Sequence, residues 1–498
     1  MCLLLKKVQA TTPDSSTKTD KKENHMRNMM LTLFAMGLCL SLTAQPTANK
    51  EYVLASVKKH EAELIKLSDQ VWAFAEIAMK ETQSAKVLSD YAEQQGFKVT
   101  RGVAQIPTAF IAEYGSGKPI IGILGEFDAL PGLSQKAQPN REELNKGAAG
   151  HGCGHNMFGA ASLGAALAIK ELIQAGKLKG TVRFYGTPAE EDKAGKVWMA
   201  KAGVFNDLDV CLDWHPADET GANVNGSQAV IDYDFIFKGK SAHAAYDPWN
   251  GRSALDAAEL FTQGINYLRE HVRPTVRMHY VYKQAGGVPN VIPEKATVWM
   301  WIRDSKRSGV AAVDERVKKI AEGAAMMAGV DYEIKLNNGL YELLINETGA
   351  HALQKNMEWL PPIEYSKEEL SFGEQVMKQA GIPFNGITGK PKPLGKPKPD
   401  PDGGSTDVGD VSYIVPQLSL EVVTAPKGAP WHSWVVVACG GMSIGHKGML
   451  YASKALGTTM VDLFENEQLR KDIRTEFEKR KGSEVWKAML PDGPPPVN

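Results

Sequence analysis

The chain has 498 residues, which points to two domains rather than one. Its 57 Lys+Arg against 58 Asp+Glu leave a formal net charge of −1, so it carries no basic footprint for nucleic acid. With 43% hydrophobic and 23% charged residues the composition is that of a folded globular protein, and five cysteines (Cys2, Cys39, Cys153, Cys211, Cys439) are too few and too scattered for a disulfide framework.

Met26 to Ala44 reads as a secretory signal. Arg27 gives a positive start, Leu31 to Leu42 is an apolar run too short to span a membrane, and Thr43-Ala44-Gln45 offers a small-residue cleavage point. Met26 is then the expected start and residues 1–25 an extension ahead of it. The mature chain is expected to be periplasmic or secreted and free of the membrane; the alternative is an uncleaved, cytoplasmic N-terminus. A lipoprotein reading through Cys39 fits its flanking residues poorly.

Residues 50–96 repeat apolar side chains at helical spacing, as in Leu54, Val57, Leu64, Leu67, Val71 and Phe74. Short strands are predicted at Lys98 to Arg101 and Ala109 to Tyr114. Ile120 to Leu124 is a continuous apolar run, typical of a buried parallel strand, and leads into Glu126-Phe127-Asp128. A glycine-punctuated stretch, Gly150 to His155, precedes a helix predicted over Met157 to Ile173, with Asn156 at its N-cap. Strand Thr181 to Tyr185, a helix from about Gly195 and strand Val210 to Asp213 follow. This alternation predicts an α/β fold, a mostly parallel sheet flanked by helices.

From about Gly226 the pattern changes. Strand Val230 to Phe237, helix Ser253 to Val272, strands Arg277 to Gln284 and Ala296 to Arg303, helix Gly309 to Ala328 and strand Tyr332 to Leu336 follow in turn. This β-α-β-β-α-β order is ferredoxin-like α+β and interrupts the first domain. Helices around His351 and Glu368, a strand at Gln417 to Val423 and a helix at Met442 to Phe464 resume it. The expected organisation is a leader at 1–45, a catalytic domain at 46–225 and 346–480, an inserted domain at 226–345 and a tail at 481–498, of which 491–497 is read as disordered. The Lys/Pro/Gly-rich stretch Gly389 to Gly404 is a loop, either solvated or at a substrate's edge.

Several places could carry chemistry. Cys153 and His155 are soft metal-ligand types one glycine apart, with Gly150, Gly152 and Gly154 letting backbone pass close to an ion; the alternative is a packed thiol and an ordinary histidine. Glu190 and Glu191 follow a strand, where one can bind metal while the other faces a bound water, or both can simply suit a helix N-terminus. His215 follows a strand and is backed by Pro216. His243 lies in the inserted domain, and His432 stands before the last helix with His446 as its competitor. Cys153, His155, Glu191, His215 and His432 make five donors. One zinc typically takes four, so five suit a pair of divalent ions, zinc or manganese, with Glu190 free as a general base.

Gly152-Cys153-Gly154-His155, Pro188-Ala189-Glu190-Glu191, His215-Pro216, Ser241-Ala242-His243-Ala244, Gly251 to Ala257 and Pro289 to Pro293 together resemble the aminoacylase/carboxypeptidase family of two-metal hydrolases, in its amidohydrolase branch. Gly404 to Ser412 and Ser443 to Met449 narrow the likeness to its p-aminobenzoyl-glutamate hydrolases, across roughly residues 50 to 465. The resemblance implies that Cys153, His155, Glu191, His215 and His432 bind the metals, that Glu190 is the catalytic base and that Asp128 orients a ligand imidazole. It implies that the inserted domain is a lid or dimerisation domain presenting His243 to the substrate, and that Asn290 and Arg303 hold the substrate's carbonyl or carboxylate. Asn156 stands where many relatives have Asp, which weakens the expected support of His155. Glu126 stands where many have Asp or His and is not assigned as a ligand. The implied reaction cleaves the amide of an N-acyl or N-aroyl amino acid, with p-aminobenzoyl-glutamate first. A dipeptidase or N-acyl-amino-acid amidohydrolase is the alternative, and a non-catalytic partner of a homologous enzyme the second. The implied assembly is a homodimer through the inserted domain or a heteromer with a homologous chain.

Overall fold

Ile120 to Leu124 can be apolar throughout because its strand is covered on both faces. The structure is a computed structural model that describes residues 47–398, 400, 401 and 403–497; the expected signal at 26–44, with Cys2 and Cys39, lies outside them. Six strands come first: β1 (Lys98–Arg101), β2 (Phe110–Ser116), β3 (Ile120–Gly125), β4 (Gly180–Gly186), β5 (Val210–Ala217) and β6 (Gly221–Ala222). Four more, β7 (Ala229–Lys238), β8 (Arg277–Gln284), β9 (Lys295–Asp304) and β10 (Asp331–Leu340), form a separate antiparallel sheet in the order β10-β7-β9-β8. The last strand, β11 (Gln417–Val423), returns to the first sheet, whose order is β1-β2-β4-β3-β5-β11-β6.

The four central strands β4, β3, β5 and β11 are parallel, and the outer pairings β1–β2, β2–β4 and β11–β6 are antiparallel. Period-2 alternation divides their side chains between two layers. Ile121, Ile123, Val182, Phe184, Leu212 and Trp214 lie under helices that include His155–Gln174 and Ser443–Glu465. Leu124, Tyr185 and Cys211 pack on the other side with Trp198, Met199 and Val411. Trp214 is fully buried, lies tilted against Phe158 at 5.9 Å and donates its indole N–H to the Phe158 carbonyl, so neither its area nor its polar edge is left unsatisfied.

The second sheet follows the expected β-α-β-β-α-β order, with helices Ala254–Leu268 and Arg307–Ala328 between its strands. Ile231, Tyr233, Phe235 and Phe237 on β7 share a core with both helices, and Phe235 meets Phe261 at 4.5 Å.

Glu171 ties two helices of the first layer. Its carboxylate accepts hydrogen bonds from Ser56 (2.6 Å) and Lys59 (2.8 Å) and stands 3.1 Å from the His60 ring. Burial pushes its pKa up, but these hydrogen bonds outweigh burial and hold it at about 2. An unfolded glutamate titrates near ~4.3, so this stabilisation is complete above that pH and is lost as pH falls toward 2. Glu171→Gln is expected to cost about 2 kcal/mol at neutral pH and little in strong acid, read as a urea-midpoint shift that shrinks on acidification. A shift of equal size at both ends would refute this account.

Several boundaries differ from expectation. Strand β5 runs on to Ala217 because β11 pairs with Cys211 through Ala217, so His215 sits inside the strand and not after an end at Asp213 as expected. The helix begins at His155, capped by Gly154 at φ +80°; Asn156 is therefore not the N-cap but lies in the first turn, donating to Ser68 and to the Gly440 carbonyl. The segment 491–497 is not loose. Pro495 is buried, Val497 packs on the core and its carbonyl accepts from Lys80 at 3.0 Å, while just before the segment Met489 pairs with Gly339 and Trp486 donates to Asp410. Helices Trp434–Gly440 and Glu467–Lys481 were not anticipated.

Candidate metal centre

The carboxyl ends of β4, β3 and β5 are neighbours, and this is where an open α/β sheet gathers a site. Glu126 and Asp128 follow β3, Glu190 and Glu191 follow β4, and His215 lies near the end of β5. Cys153 and His155 come from the glycine-rich loop before helix His155–Gln174, and His432 from the loop before Trp434–Gly440. The glycines serve the protein's own packing. A Cβ on Gly150 would stand 2.3 Å from the Leu133 carbonyl oxygen, and Gly154 needs its left-handed backbone to enter the helix. His432 and Ala189 are also left-handed, at φ +55° and +64°. The His432 N–H donates to the Gly152 carbonyl, and the Ala189 N–H donates to the buried Glu81 carboxylate at 2.9 Å. Tertiary hydrogen bonds thus hold the two strained turns that present His432 and the Glu190–Glu191 pair.

Both inner imidazoles are aimed by their outer nitrogens. His155 places Nδ1 3.0 Å from Asp128, whose other oxygen accepts the Glu191 N–H at 2.9 Å. His215 places Nδ1 2.7 Å from the Pro216 carbonyl, which leaves its Nε2 facing Cys153 Sγ at 3.2 Å. Such partners fix the tautomer with Nε2 free for a metal. Two donor groups result, each with its ligand atoms within 4.8 Å of one another: Cys153, His155 and His215, and Cys153, Glu191 and His432. Cys153 belongs to both. His155 Nε2 and Glu191 Oε1 are buried with no hydrogen-bond partner. Two orphaned acceptors beside a thiol and two further imidazoles fit a pair of divalent ions.

The charges agree with that fit. Burial, then the nearby Glu126 and Glu191, push the Glu190 carboxyl well above its ordinary range. Glu191 is raised to about 7 by burial and the charges of Asp128 and Glu126, with His155 opposing. Burial pushes the Cys153 thiol up and lowers His215 to about 4, with the charge of His155 adding to the latter. Without a cation the centre carries more acid than it can ionise.

The five expected ligands, Glu190 and Asp128 all meet here. His446 does not; it pairs with Asp69 at 2.8 Å. His243, on the loop after β7, and Asn290, on the loop between β8 and β9, come together beside the second sheet, where the Ala244 N–H donates to the Asn290 carbonyl and His243 Nδ1 accepts from the Ala245 and Tyr246 N–H groups. Arg303 lies over the Trp301 ring and donates to Ser405. Among the described residues, no hydrogen bond or ion pair joins these three to the donor groups. The Asn156 amide hydrogen-bonds to Ser68 and Gly440 and not to the His155 imidazole, which Asp128 supports instead.

Reading the sequence missed two charged groups, Lys196 and Asp407, and left a third, Glu126, unassigned. Lys196 is fully buried, its Nζ 2.5 Å from Glu126 and 2.6 Å from Asp407. Glu126 also groups with His155 and Glu190 within 4.8 Å. The signals were slight: Glu126 stands two residues before Asp128, Asp407 lies in Gly404 to Ser412, and Lys196 has no marker.

The description "Peptidase family M20/M25/M40" matches residues 122–373 of this chain. The chain is 38% identical to one component of the p-aminobenzoyl-glutamate hydrolase of Escherichia coli, over 85% of this chain and 94% of that protein. It is 29% identical to the Xaa-Arg dipeptidase of Homo sapiens, over 82% of this chain and 88% of that protein. Among solved structures it shares its fold with an aminobenzoyl-glutamate utilization protein from Klebsiella pneumoniae, with TM-score 0.57, 18% identity and coverage of 82% of this chain and 98% of that one. A dinuclear metal-binding peptidase of Bacillus subtilis gives 0.56 at 22% identity, over 82% and 99%.

Proposed function

Because the chain belongs to peptidase family M20/M25/M40, we propose that it cleaves p-aminobenzoyl-glutamate to p-aminobenzoate and glutamate. It is a metal-dependent amidohydrolase of that family. The observation that carries the reading is the meeting of Cys153, His155, Glu191, His215 and His432 in two donor groups that share one thiol, with Glu190 alongside. Two divalent ions held by these residues would supply Lewis acidity and a water acidified toward ~7. The soft thiol favours zinc, and the carboxylates admit manganese.

The chain's own groups do the rest. The Glu190 carboxylate makes no hydrogen bond to another described residue, so it is free to take a proton from the attacking water and hand it to the leaving nitrogen. Asp128 and the Pro216 carbonyl keep the two imidazoles turned inward. His243 serves the developing negative charge from the second sheet, and Asn290 and Arg303 hold the substrate's carbonyl or carboxylate. The inserted domain is then the lid and dimerisation domain. Large apolar side chains exposed on it, including Tyr246, Trp249 and Tyr267, support an interface, in a homodimer or with a homologous chain. A different component of the same Escherichia coli hydrolase is 29% identical over 46% of this chain, which supports the second form. The signal at 26–44 would deliver the chain to the periplasm.

A substrate panel tests this. The purified chain, with added zinc or manganese, is expected to favour p-aminobenzoyl-glutamate over acetylated amino acids and dipeptides by about 10-fold or more in kcat/KM. A preference for dipeptides would transfer the assignment to a dipeptidase. Turnover that requires an added homologous chain would make this protein a dependent partner.

A further inference from the structure

The segment after helix Glu467–Lys481 supplies no donor to the metal centre, yet it is tied to the cores of both sheets. Resting on the reading of the inserted domain as a lid, we infer that residues 483–497 are a brace that fixes the lid's angle over the cleft, with Trp486 as the positioning residue. Three observations lead to it.

The first is the hinge. Two linkers join the sheets: residues 223–228, between β6 and β7, and residues 341–346, between β10 and helix Glu347–Trp359. Two chain crossings leave a domain free to turn unless a further contact opposes it. Segment 483–497 supplies that contact by crossing to the second sheet and back. It leaves a helix fixed on the side of the first sheet, where the Ile473 carbonyl accepts from Asn346 and Glu476 accepts the Glu347 and Thr348 N–H groups at 2.9 and 2.8 Å. The Gly339 N–H of β10 donates to the Met489 carbonyl at 2.8 Å, and the Met489 side chain is buried in the core of the second sheet. Leu490 and Val497 then pack with the layer of Tyr185 and Trp198 on the first sheet, and the Val497 carbonyl accepts from Lys80 at 3.0 Å.

The second is the junction that Trp486 fills. Its indole N–H donates at 2.7 Å to Asp410, a fully buried carboxylate on helix Val408–Ser412, whose other oxygen accepts the Tyr341 N–H at 3.0 Å. Tyr341 opens the second linker, and its hydroxyl accepts the Lys487 N–H at 3.3 Å. One carboxylate thus ties the brace to the linker. The Trp486 ring packs against the cores of both sheets and against a small cluster of Val230 and Leu340 from the second sheet with Ala194 and Val197 from the stretch after Glu191. Turning the linker would strip Asp410 of a donor or Trp486 of its pocket, and a buried carboxylate short of a partner is costly.

The third is what the junction touches. Asn338, next to the braced Gly339, donates its side-chain amide to the Asp192 carbonyl at 3.1 Å. Asp192 follows Glu191 in the short helix Glu190–Lys193. The end of β10 therefore bears on the turn that presents the general base, and the brace sets where that end lies.

Hydrogen exchange and steady-state kinetics, with metal titration as a control, test this on three variants. One is the chain shortened to end at Gly482. Another is Trp486→Phe, which keeps a ring and removes the donor to Asp410. The last is Gly339→Val, whose Cβ would stand 2.9 Å from Met489 Cβ and push the brace off. Each is expected to speed exchange in residues 223–228 and 341–346 by about 10-fold or more and to leave β3 unchanged. Each is expected to raise KM by about 10-fold and to keep two metal equivalents. A mere loss of folded protein would lower kcat and leave KM in place. Adding the peptide of residues 483–497 to the shortened chain is expected to restore KM. Unchanged exchange in both linkers, or faster exchange with an unmoved KM, would overturn the inference. If the shortened chain does not fold, the two point variants decide by the same readings. An unmodified chain that does not cleave p-aminobenzoyl-glutamate would sink the functional reading and leave the exchange result to judge the brace.

Discussion

Glu190→Gln is expected to lower kcat by about 10²–10⁴-fold while the protein still binds two metal equivalents and keeps a KM near that of the unmodified chain. Glutamine has the same size and can occupy the same turn. That turn is held by backbone, through the Ala189 N–H on Glu81 and the Glu191 N–H on Asp128, and not by the Glu190 carboxylate. The substitution therefore removes the capacity to accept a proton and little else. Steady-state kinetics beside metal analysis checks it. Turnover at the normal rate, with metal bound, would remove Glu190 from the mechanism.

Cys153→Ala should have the larger effect on composition, because Cys153 alone belongs to both donor groups. Its loss is expected to weaken both ions by about 10²-fold or more and to abolish hydrolysis. His215→Ala, by contrast, should weaken only one. The loop should survive either change: Gly150 and Leu130 exchange backbone hydrogen bonds, and the His432 N–H bonds to Gly152 regardless of the thiol. Metal titration with a thermal melt as a fold control separates the outcomes. A Cys153→Ala protein that still takes two ions would refute the shared position.

Much of this centre could be read from the chain because its donors sit in punctuated places. Cys153 and His155 are framed by glycines, Glu190 and Glu191 follow an apolar strand, and His215 precedes a proline; each context marks a strand end or a tight turn. The choice between His432 and His446 was not legible. His432 precedes one helix and His446 lies in the first turn of the next, and only the fold gives His446 to Asp69. Lys196 was invisible for a deeper reason. It opens a short helix of mixed composition, and its burial is dictated by Glu126 and Asp407, which are remote from it in sequence. The Pro-rich end of the chain misled in the opposite direction. Its composition suggests disorder, yet Trp486, Met489 and Leu490 are enough to anchor it. Asn156 had the chemistry of a cap, but the left-handed Gly154 turned the chain into the helix one residue sooner.

The position of β11 has a consequence for how the molecule is made. It lies between β5 and β6, strands translated long before it, and His432 follows it. A growing chain therefore holds Cys153, His155, Glu191 and His215, from residue 215 to residue 432, without the partner that completes the second set. Insertion of a late strand between two early ones is a long-range event, slow to close. Capture of the ion on the His432 side must then come at the end of assembly, as a lock on finished architecture and not as the seed around which it condenses.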